Sequence, residues 1–393
     1  MSSLSAIVDL DYSEQQSRGL LFTPREIAQQ PRTWETTLAI FERDQPEIVR
    51  FLEQAGVRGP LEQRPVVMLI GAGTSDYVGQ ALSSLLRTAW ACEVFACAST
   101  TLLTNLDDYI VPGRRHLWIS FSRSGDSPEG VAVLEHAAQN YPDIAQLVVT
   151  CNQQARMIAT AKLAALSCVI VLDDATNDRS LAMTSSFTNM VITGQCLAHA
   201  WSLAEYRPIL DSLCGAADEF LISAAVLAEH TAALGVNRTC LVGSGPLESV
   251  AKESALKILE MTAGNIKTMS ETVLGLRHGP MASLDPETLF ICFVSGEERR
   301  ASYARDLLAE IAAKEIVRQS IAVGPAALKQ QFADVCDIYL PLQGQIDDLY
   351  RPVLDVIFGQ LLGLYCSIAH GLKPDAPSPG GVITRVVQKF RIY

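Results

Sequence analysis

The chain has 393 residues and a mass of 42.6 kDa, which is enough for two ordinary domains that each bury their own core. It is 49% hydrophobic and 19% charged, a composition typical of folded proteins rather than disordered ones. The formal net charge of −12 argues against non-specific binding to nucleic acid or to a membrane surface, so an anionic ligand would need a local positive site.

The first predicted element is a helical lead-in over residues 1–45. In the segment "FTPREIAQQP", Thr23 is the predicted N-cap, Pro24 takes the first helical position and Glu26 follows three residues after the cap. The sequence therefore predicts that a helix begins at Thr23, before the first core strand.

Two later stretches share one pattern: an apolar run, then a glycine turn, then apolar residues spaced as on one face of a helix. They read "PVVMLIGAGTSDYVGQALSSLL" and "RTCLVGSGPLESVAKESALKIL". Three predicted strand ends recur at one constant offset in residue number, since 243 − 71, 293 − 121 and 322 − 150 all equal 172. The matched residues are Gly71 and Gly243, Phe121 and Phe293, and Thr150 and Ala322. We interpret the recurrence as an internal duplication that gives two α/β domains, residues 46–212 and 213–393. Two unrelated α/β domains are the alternative.

The predicted strands are near-continuous apolar runs, such as "VVMLI", "HLWISF", "AQLVVT" and "CVIVL". Runs of this kind favour parallel strands that are covered by helices on both faces. The predicted fold class is α/β, with two doubly wound, flavodoxin-like parallel sheets. Binding sites in such sheets lie beyond the carboxyl ends of the strands, where "GAGTSD" and "SFSRSGDSPEG" fall.

Residues 120–130, "SFSRSGDSPEG", crowd serines around a glycine. Ser122, Ser124 and Ser127 are predicted in the turn after the strand and at the start of the next helix. Backbone N–H groups and the helix dipole favour an anion there, and hydroxyls add donors without bulk. A phosphate monoester fits, provided that the carboxylate of Asp126 turns away. A plain serine N-cap beside a glycine turn is the alternative.

The turn "GAGTSD" lacks the third glycine of a dinucleotide-binding fingerprint. Thr74 and Ser75 are placed to cap the following helix and can also face a ligand hydroxyl. A tight strand-to-helix turn without a ligand is the alternative. The sequence shows no metal-ligand cluster and no Walker motif, so no metal or other cofactor is predicted. It also shows no Ser-His-Asp catalytic triad.

The segment "ESALKILEM" places Lys257 and Glu260 three residues apart, on one face of a helix with apolar neighbours. The pair is either a structural ion pair or a catalytic base with a cation that tunes it. His278 follows in "LRHGP", where glycine and proline end any helix. It is either a surface or capping histidine or a catalyst.

Together these motifs resemble the sugar isomerase (SIS) superfamily. The series "GAGTS", "SFSRSGDSPE", "LAMTSSFT", "ALKILE" and "RHGP" extends the resemblance over nearly the whole chain from about residue 45. The chain is similar to the isomerase half of glucosamine-6-phosphate synthase. It is more similar to the tagatose-6-phosphate ketose/aldose isomerase and galactosamine-6-phosphate deaminase family, through "TPREIAQQP", "LGLRHGP" and "PDAPSPGGVITRVVQ". The resemblance implies two tandem SIS domains.

The resemblance also implies roles for individual residues. Glu260 matches the base that moves the C1/C2 proton, Lys257 the lysine beside it, and His278 the ring-opening histidine that a neighbouring subunit supplies. The C-terminal lysine of the family falls near residue 385, which makes Arg385 a candidate. The residues implied to hold the substrate and its phosphate are Thr74, Ser75, Ser122, Arg123, Ser124, Ser127 and Thr184.

The implied reaction converts galactosamine-6-phosphate to tagatose-6-phosphate and ammonia. A pure tagatose-6-phosphate ketose/aldose isomerase and a non-catalytic phosphosugar-binding regulator are the alternatives. A homodimer or higher homo-oligomer with composite active sites is implied, with no nucleic-acid or membrane partner. The ten cysteines show no CxxC pairs and are predicted to be reduced, buried thiols of a cytoplasmic protein.

Overall fold

The computed structural model describes residues 3–386 and 390–392, so the end of the "PDAPSPGGVITRVVQ" motif lies outside the described residues. The described parts of the chain form two compact units that interleave along the sequence. Unit 1 comprises Met1–Pro31, Arg179–Thr184 and Asp211–Ile383, as far as these are described. Unit 2 comprises Arg32–Asp178, Ser185–Leu210 and Thr384–Tyr393, with the same restriction.

The helices account for the lead-in and for the connections between strands. In chain order they are α1 (Ser3–Val8), α2 (Tyr12–Arg18), α3 (Thr23–Ala28), α4 (Gln30–Gln54), α5 (Thr74–Trp90), α6 (Ser99–Asn105), α7 (Pro128–Asn140), α8 (Arg156–Ala161), α9 (Ser185–Ala198), α10 (Leu203–Ala232), α11 (Pro246–Met261), α12 (Glu298–Lys314) and α13 (Pro352–Ala369).

Each unit contains one five-stranded parallel sheet. Unit 2 holds β1 (Val66–Gly71), β2 (Glu93–Ala98), β3 (His116–Ser122), β4 (Ala145–Thr150) and β5 (Ser167–Val171), in the order β2-β1-β3-β4-β5. Unit 1 holds β6 (Arg238–Gly243), β7 (Lys267–Thr272), β8 (Thr288–Phe293), β9 (Gln319–Pro325) and β10 (Ile338–Leu342), in the order β7-β6-β8-β9-β10. Both sheets have the flavodoxin-like order 2-1-3-4-5, which confirms the predicted fold class.

Three strands, β2, β7 and β10, were not predicted from the sequence. Each lies at an edge of its sheet, where one side of the strand has no neighbouring strand. None of the six residues of β7, "KTMSET", is fully buried, so that strand shows no apolar run. β7 therefore lies between α11 and His278 in a segment where no strand was predicted.

The duplication holds with one correction to its register. The first strands of the two sheets, β1 and β6, begin at Val66 and Arg238, and 238 − 66 = 172. β3 and β8 begin at residues 116 and 288, which gives the same offset. The third predicted match is wrong. Leu117 pairs with Ala145, whereas its counterpart Leu289 pairs with Gln319, and 319 − 145 = 174. Residue 150 therefore corresponds to residue 324 rather than to Ala322, because the connection that contains α12 is two residues longer.

A close backbone approach recurs in both copies. A Cβ atom on Gly71 would lie 2.2 Å from the carbonyl carbon of Ser75, and one on Gly243 would lie 2.1 Å from the carbonyl oxygen of Leu247. Ser75 and Leu247 are related by the same offset in residue number as the two glycines. Both sheets thus need glycine where the first strand of each copy turns into its helix.

The N-terminal helices confirm the predicted helical lead-in, but the N-cap at Thr23 is wrong. Thr23 is the first residue of α3, and Phe22 before it makes no side-chain cap. The carboxylate of Asp375 accepts hydrogen bonds from the N–H groups of Leu21, Phe22 and Thr23 and from the Thr23 hydroxyl. The start of this helix is therefore capped by a residue from the far end of the sequence.

The most apolar helix, α13, belongs to the core of unit 1. By length and mean hydropathy, 1.6 over 18 residues, it could cross a membrane, but 89% of it is buried inside the protein. It packs against α11 and α3. The ten cysteines are all unbridged, and eight of them are buried, while Cys214 and Cys336 are partly exposed.

Candidate active site

Unit 2 brings two of the predicted motifs to one crevice. β1 and β3 are neighbours in the sheet, yet the chain leaves β1 towards β2 on one side and β3 towards β4 on the other. Such a switch point opens a crevice at the carboxyl ends of the two strands, where ligands bind in doubly wound folds. Thr74 and Ser75 follow β1, and residues 122–127, here called the serine loop, follow β3.

The serine hydroxyls fold the loop onto its own backbone. Ser122 Oγ accepts from the N–H of Gly125 at 3.0 Å, and Ser124 Oγ accepts from the N–H of Asp126 at 3.2 Å. Ser127 takes the N-cap position of α7 but its side chain makes no capping hydrogen bond. The Ser127 side chain therefore leaves the backbone N–H groups at the start of α7 without a cap, although the first turn also contains the carboxylate of Glu129.

The carboxylate of Asp126 points away from the loop. One oxygen accepts from the N–H of Arg156, at the start of α8, at 2.9 Å. The other accepts from the Asn152 side chain at 3.3 Å, and the same amide donates to the carbonyl of Ser124 at 2.9 Å. Anion binding at the serine loop requires that the Asp126 carboxylate turn away. The structure meets this condition, because the carboxylate caps α8 instead.

Gly125 is required by space and by backbone conformation. Its φ is +62°, a region that residues with a Cβ atom rarely adopt. A Cβ there would lie 2.3 Å from the Cβ of Ala155 and 2.9 Å from Thr150 Oγ1. Glycine lets the serine loop pack tightly onto the turn that follows β4.

Two arginines of unit 2 lie at the serine loop, Arg123 within it and Arg385 beside it. Arg123 is 6% exposed, and its guanidinium donates to the carbonyl of Arg385 at 2.8 Å. The Arg385 guanidinium donates to the carbonyl of Asp178 at 2.6 Å and to the Asn177 side chain at 2.5 Å. The structure therefore places the candidate Arg385 next to Arg123, and both side chains carry positive charge to this end of the sheet.

A cysteine near the loop is not a nucleophile. Cys151 follows β4, and its N–H donates to the carbonyl of Arg123 at 3.2 Å. Burial raises the pKa of the Cys151 thiol to about 12, so the thiol stays protonated at neutral pH.

The remaining predicted contacts of the substrate are deeply placed. Thr74 and Ser75 are 4% and 5% exposed and occupy the first two helical positions of α5, so the predicted capping role is wrong and Gly73 takes the N-cap. Thr184 is fully buried, and its carbonyl accepts from Gln360 at 3.4 Å. Contact of these three residues with a ligand remains a prediction.

In unit 1, α11 carries a chain of three charges. The Lys257 ammonium lies 2.5 Å from Glu260 and 3.4 Å from Glu253. The side chains of Lys257 and Glu253 are fully buried, whereas that of Glu260 is 30% exposed. Glu260 is thus the solvent-facing end of a buried Glu–Lys–Glu series. Sequence reasoning missed Glu253, although its position four residues before Lys257 on the same helix face was a usable signal.

Small residues on α13 hold this helix in place. A Cβ on Gly359 would lie 2.2 Å from the hydroxyl of Ser254, and one on Gly363 would lie 3.1 Å from the carbonyl of Lys257. The two glycines let α11 approach α13 closely, and the inner charges of Lys257 and Glu253 are fully buried. A close, dry contact strengthens the attraction between Lys257 and its carboxylates.

His278 lies in a turn just after β7. The turn is held by an ion pair between Arg277 and Glu310 at 2.7 Å and by the Thr272 hydroxyl, which accepts from the N–H of Gly275 at 2.8 Å. Hydrogen bonds from Lys314 and Arg277 lower the pKa of Glu310, so its carboxylate stays charged. His278 itself is exposed and makes no side-chain hydrogen bond or ion pair within the described part of the chain. The turn is anchored while the imidazole remains open to solvent.

Comparison with known proteins places these features in a family. No protein-family model matches the chain. The AgaS protein of Streptomyces coelicolor is 36% identical over 376 residues, which cover 94% of this chain and 95% of the relative. The D-galactosamine-6-phosphate deaminase AgaS of Escherichia coli O157:H7 is 33% identical over 381 residues, 95% of each chain. The chain belongs to the AgaS family.

A solved structure agrees with this assignment. The tagatose-6-phosphate ketose/aldose isomerase from Escherichia coli superposes with a TM-score of 0.82 at 30% identity, over 91% of this chain and 95% of that one. AgaS-family proteins are SIS-type phosphosugar isomerases and deaminases, so this chain is an enzyme of that class. The predicted resemblance and the predicted tandem SIS domains are confirmed.

Proposed function

We propose that this AgaS-family enzyme converts galactosamine-6-phosphate to tagatose-6-phosphate and ammonia. The observation that supports the proposal best is end-to-end similarity, at 33% identity, to a relative named for that deamination. Two features of the chain fit it: a serine loop suited to a phosphate monoester and a carboxylate held beside a buried ammonium. We further propose that the protein acts in the cytoplasm.

The serine loop would hold the sugar phosphate. Ser122, Ser124 and Ser127 would donate hydroxyl hydrogens, and the uncapped start of α7 would donate backbone N–H groups. Arg123 and Arg385 would offset the dianion's charge, which the net charge of −12 otherwise repels. Hydrogen bonds to a charged acceptor are the strong class, so the phosphate would fix the position of the sugar.

Glu260 would move the proton. His278 would assist opening of the pyranose by moving the O5 and O1 protons. Glu260 would then take the C2 proton and return it to C1, through an enolamine that becomes an imine at C2. Lys257 would stabilise the oxyanion that develops or tune the pKa of the base. Water would add at C2 and ammonia would leave, so that the ketose phosphate remains.

A second candidate is pure ketose/aldose isomerisation without release of ammonia. It is supported by the 30% identity to an enzyme named tagatose-6-phosphate ketose/aldose isomerase. The proton transfer would be the same, but the substrate would carry a hydroxyl rather than an amino group at C2.

The test is incubation of the protein with galactosamine-6-phosphate and, separately, glucosamine-6-phosphate, with assays for ammonia and ketose phosphate. We expect equal amounts of ammonia and ketose phosphate from the galacto sugar. Interconversion of tagatose-6-phosphate with its aldose, without ammonia from either amino sugar, would replace the proposal by the second candidate.

Substitution of Ser124 tests the phosphate site. Ser124→Ala removes one hydrogen bond to a charged acceptor, so substrate binding should weaken by about 1.5–3 kcal/mol. The measurement is the Kd of a sugar-phosphate analogue. Ser83→Ala is the matched control, because Ser83 Oγ donates only within α5, to the carbonyl of Gly79 at 2.8 Å. An analogue Kd that is unchanged in Ser124→Ala would place the phosphate elsewhere.

Mixing two inactive variants tests the proposed composite site. We propose a homodimer in which each site takes Glu260 from one subunit and His278 from the other. Glu260→Gln protein mixed with His278→Ala protein should then regain about a quarter of wild-type activity, because half of the dimers are hybrids and each hybrid has one intact site. Subunit exchange is verified with tagged chains. Exchange without regained activity would show that both residues act within one chain.

A further inference from the structure

Unit 1 has a switch point of its own, between β6 and β8. At the offset that relates Gly71 to Gly243, residues 294–297 after β8 take the place of the serine loop, and Gly296 corresponds to Ser124. α12 begins at Glu298, which corresponds to residue 126, whereas α7 begins at Pro128. The turn in unit 1 is therefore two residues shorter before its helix begins.

A carboxylate occupies this shorter turn. Asp348 comes from the segment between β10 and α13 and is 5% exposed. One of its oxygens accepts from the N–H of Gly296 at 2.8 Å, and the other accepts from the hydroxyl of Ser295. Backbone N–H groups and a serine hydroxyl are the same kinds of donor that the serine loop offers to a phosphate in unit 2.

Two guanidinium groups complete the surroundings of Asp348. Arg351, which is 1% exposed, donates to it at 3.0 Å, and Arg300 lies 3.6 Å from its second oxygen. Arg351 is also held by Asp355, at 2.6 Å, and by the carbonyl of Val294, at 3.0 Å. Its position therefore does not depend on Asp348 alone.

Arg300, in the first turn of α12, also lies beside the turn on the other side of the switch point. A Cβ on Gly245, in the turn after β6, would lie 3.4 Å from the Arg300 guanidinium. The N-terminus of α12 is already closed by its own Glu297, whose carboxylate accepts from the N–H groups of Arg299 and Arg300 at 3.1 Å. The donors that converge on Asp348 are thus a hydroxyl, one N–H group and two arginines.

The donors explain why an anion fits there. Arg351 and Asp355 form a buried pair that is neutral as a whole, and the Arg300 guanidinium lies 3.6 Å from Asp348 and 3.8 Å from Glu297. Loss of the Asp348 carboxylate would leave a serine hydroxyl, an N–H group and two guanidinium groups facing an empty space. A buried arginine fork and oriented N–H groups select a carboxylate or a tetrahedral oxyanion.

We propose that the switch point of unit 1 is an oxyanion site built like the serine loop and closed by the Asp348 carboxylate, which limits the chain to one phosphate. The ligand class of the opened site is an inorganic tetrahedral oxyanion. The inference goes beyond the proposed function, because it concerns the copy of the fold that does not carry the serine loop.

The experiment removes the carboxylate and counts bound phosphate. Asp348→Ala should bind one more inorganic phosphate per chain than the wild type in equilibrium dialysis. Phosphate at about 100 times its Kd should raise the Tm of the variant by roughly 5–10 °C more than it raises the wild-type Tm. The difference of one bound phosphate between Asp348→Ala and the wild type does not depend on whether the serine loop binds phosphate. If that loop bound no phosphate, the wild-type count would fall to zero and the difference would stay.

Three further variants sharpen the result. Asp347→Ala is the matched control, since Asp347 is exposed and its side chain accepts from the N–H of Leu349, at 2.8 Å, so the variant should behave as the wild type. Asp348→Asn keeps the space filled and should gain no phosphate. Arg300→Ala, added to Asp348→Ala, should lose the extra phosphate.

The opposite results are equally clear. A phosphate count in Asp348→Ala equal to that of the wild type would overturn the proposal. So would an Asp348→Ala protein that phosphate fails to stabilise or refold, because the proposal requires the ion to replace the carboxylate. Two phosphates on the wild type, with one lost on Arg300→Ala, would show that Asp348 does not close the site.

Discussion

Turnover should fall by roughly 10²–10⁴-fold when Glu260 is replaced by glutamine, the usual effect of removing a general base. The glutamine oxygen can still accept the hydrogen bond from Lys257, which lies 2.5 Å from Glu260 in the wild type, so the helix should keep its structure. Binding of a phosphate analogue should survive, because the serine loop is unchanged. The measurements are kcat for release of ammonia and the Kd of the analogue.

A matched variant lies nearer the start of α11. Glu248→Gln also removes a glutamate from an ion pair with a lysine, since Glu248 lies 2.7 Å from Lys252, and both of these side chains are about one-third exposed. It should leave kcat unchanged within about twofold. If Glu260→Gln retained near-wild-type turnover, the role of base would have to pass to another residue.

Replacement of Lys257 by methionine should destabilise unit 1 by about 3–5 kcal/mol, as expected when one partner of a buried charge group is removed. Glu253 is fully buried 3.4 Å from the Lys257 ammonium, and the methionine offers it no charge. Activity should fall as well, because Glu260 loses its neighbouring cation. The measurement is the free energy of unfolding from urea titration, followed by a probe in unit 1.

Lys252→Met is the control on the same helix. Its ion pair with Glu248 is partly exposed to solvent, so the loss should stay below about 1 kcal/mol. The double variant Lys257→Met/Glu253→Gln should recover part of the lost stability, because the buried carboxylate is then neutral. A loss for Lys257→Met as small as that for Lys252→Met would show that the Glu–Lys–Glu series is not a buried charge group in solution.

The duplication and the central strands were open to sequence reasoning because their signals are local. A buried parallel strand must be apolar along its whole length, and β1, β3 and β4 are fully buried runs that stand out as such. The Lys257–Glu260 pair was visible for the same reason, since a spacing of three on a helix brings side chains together whatever surrounds the helix.

The edge strand β7 gave no such signal. β7 is half-exposed and reads "KTMSET", so the residues before His278 resembled a loop. The two-residue change of register at β9 was hidden for a related reason, because apolar runs tolerate a shift of two positions without changing which face is buried.

The sequence by itself determined the two α/β copies, the serine cluster and the charged helix. Only the tertiary structure decided which carboxylate accepts hydrogen bonds from the unpaired N–H groups of each helix start or turn. Asp375 caps α3, Asp126 turns from the serine loop to α8, and Asp348 fills the turn after β8. A carboxylate satisfies N–H groups wherever the fold brings them within about 3 Å, and that distance depends on folding rather than on separation along the chain.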